Sequence, residues 1–201
     1  MAAAVAGLSA QFRLARALVG SAMTLTRGMR WEGLERLPAS GPLIVAVNHV
    51  SVIDPPLIGI AVSQVRAPRF VGKEELFRFP PSGWLLRRIG VIPLDRGRGD
   101  VRAVREALEV LQGGGCMVLF PEGTRSRTGR PGKPKPGVGL MARQAGASVV
   151  PARVVNTRSW FGTGPFTVRF GEPMAPPPPA EDARSADRAY AETVMAAILA
   201  L

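Results

Sequence analysis

A chain of 201 residues, 46% hydrophobic and 20% charged, has the size of one domain and too much apolar content for a disordered polymer. Its 26 basic residues against 15 acidic ones give a formal charge of +11. That balance disfavours cationic ligands and predicts anionic partners: nucleic acid, an anionic membrane surface or phosphorylated small molecules.

In chain order, residues 8–25 place Leu8, Phe12, Ala15, Leu18, Val19, Ala22 and Leu25 mostly at three- and four-residue spacing, with Arg13 and Arg16 on the other side. This spacing predicts an amphipathic helix. Two placements stay open for it: packed on the domain, or lying in a membrane interface with its arginines toward anionic headgroups. No cleavage-site pattern accompanies it and no apolar run reaches ~18 residues, so neither a secretory signal nor a spanning helix is expected. Four short apolar runs follow: LIVAV (43–47), VIPL (91–94), MVLF (117–120) and SVVPARVV (148–155). Helical patterns lie between them, clearest at Val101, Val104, Leu108 and Leu111 before the stop at Gly113-Gly114-Gly115. Strands without polar alternation, separated by helices, predict an α/β fold with a mainly parallel central sheet covered by helices. FTVRF (166–170) alternates and reads as an added edge strand. GEPMAPPPP makes a stiff connection to a helix from about Ser185 to Leu201. Cys116, the one cysteine, excludes an intrachain disulfide and reads as a buried hydrophobe within its apolar run.

The first three runs end in polar, chemically capable residues: NHVSVID (48–54), Asp95-Arg96 and PEGTRSR (121–127). Ligands of open α/β sheets bind beyond the carboxyl ends of the strands, so these clusters are expected to converge. His49 is the only histidine. Residues five apart on one helix lie ~140° from each other, so a turn must separate His49 from Asp54. Ser51-x-x-Asp54 suggests where, having the form of a helix capping box. The imidazole can then fold back toward the carboxylate, which would fix its tautomer and leave the other ring nitrogen as a base. Alternatively Asp54 only caps the helix through Pro55-Pro56-Leu57-Ile58. In PEGTRSR, Gly123 permits a tight turn with exposed amides, and Arg125 supplies an anion-binding fork; Arg127 and Arg130 read as solvated. Lys73 and Arg96 read either as ligand contacts or as surface charges paired with Glu74, Glu75 or Asp95. The glycine run lacks the residues of a phosphate-binding loop. No zinc-ligand spacing or nucleophile elbow is present. With 6% aromatic residues and no recognition-helix motif, nucleic acid is not expected.

NHxxxxD, KEELFxxP, GVIPLDR, FPEGTRSR and VVPARVV, in that order, resemble the glycerolipid acyltransferase family from about Trp31 to Glu172. The nearest subgroup is the bacterial lysophosphatidate acyltransferases (1-acylglycerol-3-phosphate O-acyltransferases). The resemblance implies that His49 is a general base oriented by Asp54, acting on the sn-2 hydroxyl of a lysophospholipid to give phosphatidate. Acyl-CoA or acyl-carrier protein would be the co-substrate, with no metal or other cofactor. It implies substrate-binding roles for Lys73, Arg96 and Arg125, at the acceptor phosphate, and for Glu122, Gly123 and Thr124, which shape the loop. Pro151 would line the site from the next strand. The implied division is a membrane-interacting segment at 1–30, a catalytic domain at 31–172, and a proline-rich connection with a C-terminal helix at 173–201. Peripheral, monotopic attachment to an anionic surface on the cytoplasmic face of the cell membrane follows, with arginines 13, 16, 27 and 30 toward the lipid. Val50 and the segment Lys133-Pro134-Lys135-Pro136-Gly137 depart from the family pattern. Glycerol-3-phosphate, another lysophospholipid or a glycolipid is the alternative acceptor, and a non-catalytic anionic-lipid-binding module is the alternative class.

Overall fold

Strand β2 (Leu43–Val47) is buried along its whole length, and the pleat explains how. Successive side chains point to opposite faces: Leu43, Val45 and Val47 enter one apolar core, Ile44 and Ala46 another. Both faces of the sheet are therefore covered. The computed structural model describes residues 7–95, 100–126 and 131–201. Around β2 it arranges β1 (Met29–Glu32), β3 (Pro68–Lys73), β4 (Val91–Leu94), β5 (Cys116–Leu119), β6 (Ser148–Val155) and β7 (Phe166–Phe170). The order is β1-β7-β6-β2-β5-β3-β4, and every neighbouring pair is parallel except β6 and β7.

Helices α1 (Ala10–Thr26) and α2 (Asp54–Val62) cover one face, where Met23, Leu57, Ile58 and Ala61 meet Phe70, Phe166 and Phe170. The other face carries α4 (Val101–Gln112), α5 (Gly137–Ala145) and α6 (Ala183–Ala200), through Ala107, Leu111, Val138, Ala142, Val194 and Ile198. The remaining helix, α3 (Pro80–Arg88), leads into β4. A bidentate pair joins α5 to α6, with Arg143 donating to both oxygens of buried Asp187 at 2.8 Å.

Three of the four expected runs form strands with the expected bounds; β5 starts one residue earlier, at Cys116, which leaves Phe120 beyond its end. FTVRF does not lie at the edge. It pairs antiparallel with β6 and in parallel with β1, whose Met29 faces Phe166 in register. The edge strand is MRWE, where Arg30 and Glu32 form an ion pair; charges of this kind suit an edge that must not recruit further strands. The run PRFVGK, too mixed to announce itself, forms β3 between β5 and β4.

Helix α1 is apolar on two sides. Met23 is buried and Phe12 and Val19 pack against the core, whereas Leu14, Leu18 and Leu25 are 61%, 64% and 86% exposed. At its C-terminal end Arg27 donates to the carbonyls of Asn156, Ser159, Thr163 and Gly164 and lies over the Phe166 ring, 4.5 Å from its centroid. Its charge is spent on closing the loop after β6, and that of Arg30 on Glu32. Among the described residues the side chains of Arg13 and Arg16 have no such partner.

Candidate active site

After Val47 the main chain of β2 turns away from the sheet, and Asn48 completes the ladder with its side chain. Its Oδ1 accepts from the Val154 amide at 2.8 Å and its Nδ2 donates to the Val154 carbonyl at 3.3 Å. The buried amide thus pairs with a strand while the backbone starts a turn.

His49 stands at that turn. Its Nδ1 lies 2.9 Å from Asp54 Oδ2, which also accepts from the amides of Val50 at 2.6 Å and Ser51 at 2.7 Å. The sequence explains why this carboxylate looks backward. Pro55 and Pro56 occupy the first turn of α2 and have no N–H to cap, so Asp54 serves the preceding turn. The capping box is only half realised: Asp54 accepts from Ser51 as expected, but Ser51 Oγ accepts from the Ile53 amide at 3.2 Å instead of that of Asp54. An oxygen already accepting two backbone donors leaves the imidazole as a third donor through Nδ1–H, so Nε2 carries the free lone pair. Asp54 Oδ1 is buried and has no hydrogen-bond partner among the described residues.

Three further contacts hold His49, one on its ring and two on its backbone. Phe120 stacks on its ring, with centroids 4.1 Å apart and planes at 26°. Glu122 Oε1 accepts from the His49 amide at 2.9 Å, and Ser126 N donates to the His49 carbonyl at 2.8 Å. Glu122 Oε2 accepts from Gly132 N at 2.8 Å. Both oxygens of this buried carboxylate hold backbone, so Glu122 ties the His49 turn to its own loop. Of the His49 side chain 13% remains exposed, against 0% for Asp54.

The β5 loop therefore closes directly on the β2 turn. Within it Gly123 has φ +70°, and a Cβ there would meet Lys135 Cε at 2.9 Å, so the departing Lys-Pro-Lys-Pro-Gly segment packs onto this glycine. Thr124 and Arg125 face solvent. Arg125 forms no ion pair or hydrogen bond among the described residues. Lys73 ends β3 and is exposed two strands from β2. Arg96, Arg127 and Arg130 lie outside the described residues. Pro151 sits in the body of β6 opposite Ala46, against Gly171, and not at the strand end where it would line the site. Cys116 is fully buried and burial pushes its thiol up to about 12, which disqualifies it as a nucleophile. No metal-ligating group of three or more side chains converges among the described residues.

Asn48 and Phe120 were missed by sequence reasoning. The signal for Phe120 was present: an aromatic directly between a buried strand and a polar loop faces whatever that loop closes on. For Asn48 only the polar residue closing a buried run gave a hint.

A family model described as Acyltransferase matches residues 28–155. Over 136 residues the chain is 37% identical to a chloroplastic 1-acyl-sn-glycerol-3-phosphate acyltransferase of Arabidopsis thaliana, covering 66% of this chain and 37% of that one. The chain thus spans well under half of that relative. It is 26% identical to the 1-acyl-sn-glycerol-3-phosphate acyltransferase of Bacillus subtilis over 155 residues, 76% of each chain. The crystal structure of the 1-acyl-sn-glycerophosphate acyltransferase of Thermotoga maritima matches with a TM-score of 0.74 and 29% identity, over 94% of this chain and 77% of that one.

Proposed function

The chain belongs to the acyltransferase family, whose model spans residues 28–155, and from that premise we propose that it acylates the sn-2 hydroxyl of a lysophosphatidate. The observation that carries this reading is the buried Asp54 oxygen 2.9 Å from His49 Nδ1, which in the neutral imidazole puts the proton on Nδ1 and the lone pair on Nε2. In the reaction Nε2 takes the proton of the acceptor hydroxyl as its oxygen attacks the thioester carbonyl. The tetrahedral centre then collapses, the C–S bond breaks, the thiolate leaves and the proton on Nε2 neutralises it. A positioned base of this kind contributes roughly 10²–10⁴-fold, and orientation of two bound reactants supplies much of the remainder. No acyl-enzyme is needed, in keeping with a cysteine too buried to ionise. The phosphate of lysophosphatidate is only a few bonds from its free hydroxyl, so its partner must stand beside His49. Arg125 fits, on the loop after β5, the strand next to β2.

The test is acyl transfer from palmitoyl-CoA to lysophosphatidate by the intact chain and by His49→Ala. Turnover should fall by roughly 10²–10⁴-fold with circular dichroism unchanged. Near-normal turnover of the folded variant removes the base assignment. Running glycerol-3-phosphate and a phosphate-free lysolipid alongside identifies the acceptor; a preference for the latter removes the role given to Arg125.

The reading extends to the membrane. No helix of the described residues is long and apolar enough to cross a bilayer. The outward stripe of α1, Leu14, Leu18 and Leu25, with Arg13 and Arg16 on the same helix, suits a peripheral position in an anionic interface on the cytoplasmic face. Replacing the three leucines by serine should abolish co-sedimentation with phosphatidylglycerol vesicles without lowering the melting temperature. Undiminished sedimentation shows that α1 is not the anchor.

A further inference from the structure

At the outer edge of the sheet lies a cavity of about 250 Å³ lined by Glu74, Phe77, Arg78, Arg87, Pro93 and Arg102. The turn after β3, the end of α3, strand β4 and the first turn of α4 all contribute to it. Three guanidinium groups against one carboxylate leave two net positive charges around this small space. These arginines are sparsely matched by acids. The Arg78 side chain has no ion pair or hydrogen bond among the described residues. Arg87 lies over the Phe77 ring, 5.2 Å from its centroid, and Arg102 reaches Asp100 only at 3.9 Å. Guanidinium forks with free edges match phosphate oxygens.

Position decides which phosphate. In the order β2-β5-β3-β4 the cavity strand is three places from the His49 strand, which at ~4.8 Å per strand is on the order of 14 Å across the sheet. An acceptor phosphate, a few bonds from its hydroxyl, does not reach that far while the hydroxyl touches His49. A donor phosphate does. Between the thioester and the first phosphate of an activated acyl group runs the pantetheine arm, a linear chain with two amides long enough to cross the gap. We infer that the Arg78, Arg87 and Arg102 cavity holds the phosphate of a phosphopantetheine donor while its thioester reaches His49. The inference rests on the acyl-transfer reading and deepens it. Coenzyme A and acyl-carrier protein both carry this phosphate.

The full chain and an Arg78→Gln/Arg87→Gln/Arg102→Gln variant are compared with three donors: palmitoyl-CoA, palmitoyl-carrier protein and S-palmitoyl pantetheine, which lacks the phosphate. KM for the phosphorylated donors should rise about tenfold or more, KM for lysophosphatidate should not follow, and the gap between the proteins should close with S-palmitoyl pantetheine. A rise with either phosphorylated donor upholds the site and identifies its source. Equal KM values for both, a rise confined to lysophosphatidate, or an equal penalty with S-palmitoyl pantetheine overturns it. Calorimetry with coenzyme A on the folded His49→Ala chain, with and without the three glutamines, reads the site without turnover. Binding removed by the glutamines upholds the site even if no acyl transfer is found in any assay. Binding that is absent, or indifferent to the glutamines, overturns it.

Discussion

The two halves of the sheet's carboxyl edge are built in opposite ways. On the β2–β5 side, His49 is fixed through its ring nitrogen, its ring face, its amide and its carbonyl, and the carboxylates that do this are buried. On the β3–β4 side, Lys73, Arg78, Arg87 and Arg102 are exposed and form few ion pairs. Proton transfer needs a base within a few tenths of an ångström of one position, and a dry, hydrogen-bonded setting supplies that. Anion capture needs charge and access, which flexible side chains in water supply. On the function proposed above, rigidity lies where bonds change and charge where ligands arrive.

That contrast breaks most sharply at Asp54. Asp54→Asn can keep an oxygen toward Val50 N, Ser51 N and His49 while removing the charge, so turnover should fall by roughly 10²–10⁴-fold with the melting curve little moved. Asp54→Ala also orphans two backbone donors at about 1–3 kcal/mol each, so it should lose stability as well. Equal melting curves for the two variants argue against the hydrogen-bond account. Next comes Glu122→Gln. Its amide group turns a donor toward either the His49 amide or Gly132 N, which at about 1–3 kcal/mol should lower kcat by roughly 5- to 150-fold while the KM values hold. A KM effect alone makes Glu122 a substrate contact instead. The smallest effect belongs to the exposed half. Raising salt from about 0.1 to 0.5 M shortens the screening length and should raise KM severalfold with short-chain, monomeric substrates, leaving kcat in place. A kcat that falls with KM erases the division between the halves.

Much of this plan could be read from the sequence. LIVAV and SVVPARVV have no polar alternation because both faces of those strands are covered, and buried runs announce their own bounds. His49 and Asp54 were legible through the intervening turn. Less legible was the double proline at 55–56, which directs Asp54 away from its own helix; that effect depends on donors the prolines lack. MRWE and PRFVGK escaped because short strands with charges carry little pattern, and the misplaced edge at FTVRF followed from missing MRWE. Arg27 reads as one more basic residue in a basic chain. Only a folded loop shows that its guanidinium meets four carbonyls.

That arginine has a mechanical consequence. A helix on a slack tether would let the domain swivel on a lipid surface and present its catalytic edge only part of the time. Here α1 packs along the domain and the residue that caps it is bolted to the loop after β6, so helix and sheet tilt together. On the bilayer placement proposed above, the search for an amphiphile becomes a two-dimensional walk by a molecule that keeps one heading relative to the surface.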